Sequence, residues 1–285
     1  MRGKNKMYVF LGCILIFIGI LIVFFNISYS KTRIEFNKLS NALILKSSKT
    51  EEVFSESDIV DLPASIQKYF KASGFIGKTK MSYMKIEFNN VKFSLGKDKP
   101  NIKVDYYQYN FVNEPNRIAY IDSKMYGIPF QGLDSYVDGV GSMKGVLAKV
   151  ITLFNQKGIS MDKASLVTYL AECLFIPSAA IQDFISWEEI DEFHVKATIS
   201  YYGISASGIF TFNENYEMLS FNTFDRESVG MDGKVDKVPW TALCSNYKVI
   251  NGIKQPTSLQ AIWHYETGDL IYFDSNNFKI YYDNN

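Results

Sequence analysis

The sequence of 285 residues has few of the side chains that build metal sites and disulfide scaffolds. Three cysteines and two histidines are too few for a four-ligand zinc site, a histidine-rich metal centre or a disulfide framework. Cys173 and Cys244 could pair, but we expect two free buried thiols. No charge of one sign is in excess, because 30 Lys and Arg balance 30 Asp and Glu. We therefore expect no metal, no other cofactor and no nucleic-acid partner.

A long apolar run lies close to the N-terminus. Residues 7–25 carry no charge, and three basic residues lie within the six positions before them. A helix of this length spans about 28 Å, close to the hydrocarbon core of a bilayer. The run predicts a transmembrane helix that partners the lipid membrane; a signal peptide cleaved near Ser28 and Ser30 is the alternative. The flanking bases favour a cytoplasmic N-terminus, a single-pass topology in the cell membrane and an extracytoplasmic main domain.

The chain after this run divides into two further parts. Residues 31–60 are polar, with helically spaced apolar residues up to position 45 and a Ser, Lys and Glu-rich stretch after it. Asp61-Leu62-Pro63 then has the composition of a helix start. We expect a cytoplasmic tip and transmembrane helix over 1–30, a juxtamembrane stalk or linker over 31–60, and an extracytoplasmic β-rich domain over 61–285.

Strand and helix patterns follow one another in blocks within this domain. Apolar residues recur at every second position from Lys80 and again after Trp187, whereas the spacing between residues 141 and 184 is helical and includes a helix over 146–154. Asn251-Gly252 predicts a type I′ hairpin turn. Because strands and helices do not alternate one by one, a parallel nucleotide-binding sheet is disfavoured. The sequence predicts an α+β fold, mainly antiparallel β, in which a helical insertion covers one face of a strongly curved sheet.

The glycine-rich stretch 132–145 contains two candidate site residues, Asp134 and Asp138. Its glycine spacing differs from a dinucleotide-binding loop, so we expect these glycines to turn the chain from strand into helix. Asp134 and Asp138 lie four positions apart and share a face in either structure. They could bind a cation or a ligand hydroxyl, although capping of the next helix is the commoner role of such residues.

Glu172 and Arg226 complete the candidate polar site. Glu172 lies close to the apolar side of a predicted helix, where a buried carboxyl group could act as a general acid. The alternative is that it pairs with a base such as Arg226 or faces water. If Asp134, Asp138 and Glu172 converged, with Arg226 as an anion clamp, the protein could be a hydrolase. The common hydrolase motifs G-x-S-x-G and H-E-x-x-H are missing.

Several sequence blocks resemble an uncharacterised prokaryotic family of membrane-anchored β-rich proteins, a domain of unknown function. The likeness covers nearly all of residues 61–285 and departs from the family pattern at Cys173-Leu174-Phe175 and Glu227-Ser228. The resemblance implies a fold similar to the half-barrel of bacterial lipoprotein carriers, with a concave cavity able to hold acyl chains; it implies no established activity. The blocks are Leu62-Pro63, Gln67-Lys68-Tyr69-Phe70, Gly132 to Met143, Tyr169-Leu170-Ala171-Glu172, Pro177-Ser178-Ala179, Trp187 to Asp191, Pro239-Trp240, Gly252, Pro256-Thr257, Trp263 and Tyr281-Tyr282.

Three functions are compatible with these observations. The first is an extracytoplasmic protein that binds a lipid or other hydrophobic ligand in a half-barrel cavity, lined by Tyr, Phe and Ile of the sheet and closed by the helices of 143–184. The second is an envelope interaction or structural module without a ligand, which a filled core would favour. The third is the hydrolase with clustered carboxylates. The sequence indicates no particular protein partner.

Overall fold

The computed structural model describes residues 2–97, 99–230 and 233–283. Met1 of the predicted tip and the last two residues of the predicted domain lie outside the described residues, as does the side chain of Arg2, one of the bases behind the predicted orientation. Single-turn 3-10 helices occupy Glu56–Ile59 and Cys173–Phe175. The α-helices are α1 (Arg2–Asn26), α2 (Lys31–Lys46), α3 (Ala64–Ala72), α4 (Ile159–Glu172) and α5 (Pro177–Ala180).

Most of the remaining chain forms β-strands, as the period-two pattern predicts. The strands are β1 (Tyr83–Ser94), β2 (Asn101–Phe111), β3 (Arg117–Met125), β4 (Ile128–Val137), β5 (Val140–Leu147), β6 (Ile151–Lys157), β7 (Ile185–Asp191), β8 (His194–Tyr201), β9 (Ile204–Phe212), β10 (Met218–Thr223), β11 (Glu227–Val229), β12 (Val235–Lys237), β13 (Trp240–Ser245), β14 (Lys248–Ile250), β15 (Ile253–Gln255), β16 (Ser258–Tyr265), β17 (Gly268–Ser275) and β18 (Phe278–Tyr282).

Fourteen of the described strands form one antiparallel sheet. Their order is β6-β5-β4-β3-β2-β1-β17-β16-β13-β10-β9-β8-β7, and β18 also pairs with β1. The edge strands β6 and β7 do not pair with each other in the described chain, so the sheet is a curved half-barrel and not a closed barrel. The predicted fold, a mainly antiparallel curved sheet with helices on one face, is confirmed.

The main core lies between the concave face of the sheet and helices α3, α4 and α5. Three buried tyrosine hydroxyls join helical segments to neighbouring backbone: Tyr169 donates to the carbonyl of Phe111 at 2.6 Å, and Tyr282 to that of Phe175 at 2.8 Å. Tyr69 donates to the carbonyl of Leu174 at 3.2 Å. Because these three hydroxyls keep a partner after leaving water, their rings can fill the core at little polar cost.

The segment predicted as a stalk or linker packs on both faces of the sheet. Phe36 and Leu43 of α2 lie in a smaller apolar cluster with Ile118 on the face opposite the main core. Phe54 and Ile59, further along, are buried in the main core. Helix α1 is different, because its apolar window is not buried against the described protein. By length and composition α1 can cross a membrane.

The helix predicted over 146–154 is wrong. Val146 ends β5 with Leu147, and residues 151–154 begin β6. Ala148 and Lys149 between them have φ values of 52° and 65°, which is the left-handed conformation of a tight turn. The three-residue connection 148–150 between two short strands leaves apolar residues three to four positions apart, which resembles a helical spacing. The helical region begins only at Ile159.

The predicted role of the glycines in 132–145 is also wrong, because none of them lies at a helix start: Gly139 lies in the turn between β4 and β5, and the others lie in these paired strands. Gly132 is opposite Gly145 on β4 and β5. A Cβ atom on Gly141 would lie 2.4 Å from the backbone oxygen of Met161, so this glycine lets α4 approach the sheet. The Asn251-Gly252 turn is confirmed. The two residues have φ values of 53° and 77° and connect the paired strands β14 and β15.

Candidate functional site

A cavity of about 1420 Å³ opens on the concave side of the sheet. It exceeds the roughly 300–1,000 Å³ of most small-molecule sites. Strands from both halves of the sheet contribute to it, and α4 contributes Ala164, Thr168 and Glu172. Many of the lining side chains are aromatic; these are Phe88, Phe93, Tyr106, Phe154, Phe175, Trp240, Trp263, Tyr265, Tyr272 and Phe273.

A buried arginine, Arg117, organises the polar side of this cavity. Its side chain is 4% exposed, and its Nη1 donates to Asp134 Oδ2 at 2.6 Å. Its Nε donates to Glu172 Oε2 at 3.3 Å, and its Nη2 donates to the hydroxyl of Tyr106 at 2.8 Å and to Gln108 Oε1 at 2.9 Å. All three guanidinium nitrogens therefore have acceptors, as a buried charge requires.

Strand alternation explains why these groups meet. Tyr106, Gln108 and Asn110 are alternate residues of β2 and point to one face of the sheet. Arg117 pairs with Asn110 at the start of β3, and Glu172 at the end of α4 accepts hydrogen bonds from the amides of Gln108 and Asn110 at 2.6 and 2.8 Å. The last turn of α4 is thus bonded to the middle of the sheet.

The charges of this group do not cancel. Burial lowers the pKa of Arg117, but the neighbouring Tyr106, Asp134 and Glu172 outweigh that effect and raise the pKa well above its usual value. The arginine is therefore charged at any physiological pH. Two carboxylates on one guanidinium leave one formal negative charge in excess. Burial also raises the pKa of Tyr106, so its hydroxyl stays protonated and can donate to Asp134 Oδ2, 3.2 Å away.

Arg226 lies at another part of the cavity wall, in the connection between β10 and β11. Its Nη1 donates to the carbonyl of Ala164 at 2.6 Å and to the hydroxyl of Thr168. Its guanidinium carbon lies 4.9 Å from the ring centre of Trp240 and 5.6 Å from that of Trp263. Within the described chain it forms no salt bridge, and its buried Nε has no hydrogen-bond partner.

The four residues predicted from sequence thus have different surroundings. Asp134 and Glu172 meet on Arg117 and line the cavity together. Arg226 lines the same cavity without contacting either carboxylate in the described hydrogen bonds. Asp138 is exposed in the turn between β4 and β5, with a φ of 50°, and does not line the cavity. Its backbone N–H donates to Asn116 Oδ1 at 3.1 Å.

Sequence reasoning missed Arg117 and its partners on β2. The available signal was an arginine at an inward-facing strand position, directly before Ile118-Ala119-Tyr120. Alternating Tyr106, Gln108 and Asn110 on the preceding strand were a second signal, because they place polar groups on the face that should be apolar.

The cysteines are free thiols, and both Cys173 and Cys244 are buried. Burial raises the pKa of both thiols, which makes them poor nucleophiles and poor metal ligands as they stand. No cluster of His, Cys, Asp and Glu with the arrangement of a metal site is present within residues 2–97, 99–230 and 233–283.

A second groove, of about 1130 Å³, lies beside the C-terminal end of α1. It is lined by residues 25–28, at the end of the apolar run, and by the ends of β2 and β3. The buried Lys149 donates to the free backbone carbonyls of Phe24 and Ile27 at 2.7 and 2.6 Å, which fixes the β5–β6 turn against the end of α1. Leu95 and Lys99 line both this groove and the large cavity, so the two spaces are neighbours.

The chain is similar to known proteins at the level of family and fold. A search of curated proteins gives no match. Among solved structures it is similar to a LolA superfamily protein from Nitrosomonas europaea, with a TM-score of 0.40 and 12% identity over 76% of this chain and 94% of that one. It is also similar to a DUF1329 family protein from Desulfovibrio piger, with a TM-score of 0.41 and 11% identity over 77% of this chain and 92% of that one.

The model of one family, described as "Family of unknown function (DUF6544)", matches residues 52–275. This match covers most of the chain and confirms the predicted resemblance to an uncharacterised family. The protein belongs to DUF6544, a family of unknown function.

Proposed function

We propose that this protein is a membrane-anchored extracytoplasmic protein that binds a lipid or another hydrophobic ligand inside its half-barrel. The observation that carries the proposal is the cavity of about 1420 Å³ with its aromatic lining. Concave pockets lined mainly by apolar and aromatic side chains are the usual form of a ligand site. A module that acts only through its outer surface would be expected to fill this space with side chains.

The energetics favour a long apolar ligand. Each buried CH₂ group contributes about 0.8 kcal/mol, so a chain of about fifteen such groups contributes roughly 12 kcal/mol. Association costs about 4–15 kcal/mol, and only the remainder is measured as affinity. A short ligand would therefore bind poorly. We expect the dissociation constant to fall about fourfold for each added CH₂ group until the chain fills the cavity.

The membrane supplies such ligands, and three features support a position beside it. Helix α1 is long and apolar enough to span a bilayer. Lys149 holds the sheet against the end of this helix. The groove at this end shares Leu95 and Lys99 with the cavity, so the cavity lies close to the end of α1. The extracytoplasmic side follows from the basic residues before the apolar run.

The hydrolase interpretation has less support. Asp134 and Glu172 converge, but both are bonded to the buried Arg117, so their oxygens are already engaged in the protein's own hydrogen bonds. Asp138 lies in an exposed turn apart from them.

The test is native mass spectrometry of the full chain released from detergent micelles. Ala261 on β16 lines the cavity, whereas Ile271 on the neighbouring β17 is 44% exposed and does not line it. We expect the wild-type chain and the Ile271→Trp control to carry a co-purified lipid. Ala261→Trp should lose it, because the new ring occupies the space of the acyl chain. Equal lipid retention by all three proteins, or none on the wild type after incubation with mixed membrane lipids, would overturn the proposal.

A further inference from the structure

We propose that Arg226 binds an oxyanion at the polar end of the ligand, so that the ligand is an acyl amphiphile with a carboxylate or phosphate headgroup. This inference rests on the proposed function, because it names the chemical class of the molecule in the cavity. Its basis is the contrast between the two arginines that line this space. Arg117 has two carboxylate partners, and Arg226 has none in the described chain.

The contacts of Arg226 leave one edge of its guanidinium without partners. Its Nη1 is used twice, by the Ala164 carbonyl and the Thr168 hydroxyl on α4. Its Nε is buried without a partner, and its Nη2 forms no hydrogen bond with any described residue. Nη2 is neither buried nor bonded within the described chain, so it is the donor that a carboxylate or phosphate oxygen can reach from the cavity. Hydrogen bonds between a guanidinium and such an oxyanion are charge-assisted and therefore strong.

The surroundings of Arg226 hold the guanidinium in place before a ligand arrives. Trp240 and Trp263 lie 4.9 and 5.6 Å from its central carbon, and α4 fixes its other edge through Ala164 and Thr168. A pre-oriented arginine loses little side-chain entropy on binding, which increases the affinity for a ligand of matching shape. The faces of the two indole rings attract its positive charge and so help to hold it at the cavity wall.

The net charge of the Arg117 group is unfavourable for an acidic headgroup. Arg117, Asp134 and Glu172 together have one negative charge in excess and would repel an acidic headgroup. The headgroup should therefore lie at Arg226. The acyl chain should then follow the apolar lining, which includes Phe175 and Met218.

The experiment compares three probes with the same sixteen-carbon chain: hexadecanoic acid, hexadecyl phosphate and hexadecan-1-ol. Each displaces a fluorescent fatty-acid probe from the full chain in detergent micelles, at a pH at which the carboxylic acid is ionised. For the wild type we expect the two anions to bind at least about tenfold more tightly than the alcohol, since hydrogen bonds to charged groups are the stronger kind. The ratio of the dissociation constants of hexadecanoic acid and hexadecyl phosphate distinguishes a fatty acid from a phosphate-bearing lipid as the ligand.

Two variants at Arg226 and one control complete the design. Arg226→Gln should abolish the preference for anions while leaving alcohol binding unchanged, and unchanged alcohol binding also shows that the variant is folded. Arg226→Lys should retain only part of the preference, because an ammonium group lacks the planar guanidinium that α4 and the two indole rings hold in place. Lys248→Gln, which removes an exposed positive charge outside the cavity, should behave as the wild type.

The failures of the two proposals differ. Equal binding of acid and alcohol by the wild type, or a preference that survives in Arg226→Gln, would overturn the oxyanion site and leave the hydrophobic cavity standing. No binding of any of the three probes would overturn the proposed function and the oxyanion site together.

Discussion

Replacement of Arg117 by methionine should destabilise the fold, because the arginine is the shared partner of the polar groups on β2, β4 and α4. The side chain is 4% exposed, and its four hydrogen bonds reach Asp134, Glu172, Tyr106 and Gln108. Methionine has a similar length and fills similar space, so the change removes the charge and the donors with little change in volume.

The magnitude follows from what the substitution leaves behind. Removal of one partner of a buried ion pair costs about 3–5 kcal/mol. The side chains of Asp134 and Glu172 keep 22% and 19% exposure, so water solvates them in part and the lower end, about 3 kcal/mol, is expected.

The assay is urea denaturation of the full chain in micelles, followed by tryptophan fluorescence. The matched control is the triple variant Arg117→Met, Asp134→Asn, Glu172→Gln, which removes the charges on both sides. It should regain most of the lost stability, because neutral amides can bond to each other and to Gln108. A loss below about 1 kcal/mol in the single variant would refute the reasoning, and so would a triple variant no more stable than the single one.

Further outcomes can be measured at other elements. Phe36→Ala on α2 should cost about 3 kcal/mol in urea denaturation, because a ring that is 7% exposed leaves a cavity against the outer face of the sheet; a cost near zero would show that α2 is not docked. Gly141→Ala should cost about 1–3 kcal/mol by the same method, since its Cβ would lie 2.4 Å from backbone of α4; unchanged stability would contradict that approach. Lys149→Met should speed amide hydrogen exchange at the end of α1, because the last carbonyls lose their buried donor; unchanged exchange would contradict the contact. The thiols of Cys173 and Cys244 should resist maleimide until urea unfolds the domain, because both are buried and their pKa is raised; rapid labelling of the folded protein would contradict this.

The fold was predictable where local chemistry and long-range structure agree. Alternation of apolar residues predicts strands because every second side chain of a strand faces the core. The Asn251-Gly252 turn was predictable because few residues other than asparagine and glycine accept positive φ. Over 146–154 the local sequence pattern and the actual structure disagree. The turn at Ala148 and Lys149 contains no glycine or asparagine that would have indicated a turn.

The candidate site was predictable in part. Asp134 stood out in the glycine-rich stretch 132–145 and Glu172 as a carboxyl group close to the apolar side of a predicted helix, and both line the cavity. Their partner could not be found, because Arg117 lies 17 residues from Asp134 and 55 from Glu172. The pairing of β3 with β4 and the packing of α4 on the sheet bring the three together. The stacking of Arg226 on Trp240 depends in the same way on the path of the sheet. The position of α2 on the sheet could not be predicted from the sequence either. Helical spacing predicts that a helix has an apolar stripe, but not which surface packs against that stripe.

The most direct test of the central claim, that an acyl chain occupies the half-barrel, is photo-crosslinking with a sixteen-carbon fatty acid that carries a diazirine near its methyl end. The full chain is irradiated with this probe, digested and mapped by mass spectrometry. Labels on cavity residues such as Phe175 and Met218, suppressed by excess hexadecanoic acid and lost in Ala261→Trp, are the predicted result. Labels confined to α1 and the outer surface, unchanged in Ala261→Trp, would contradict it.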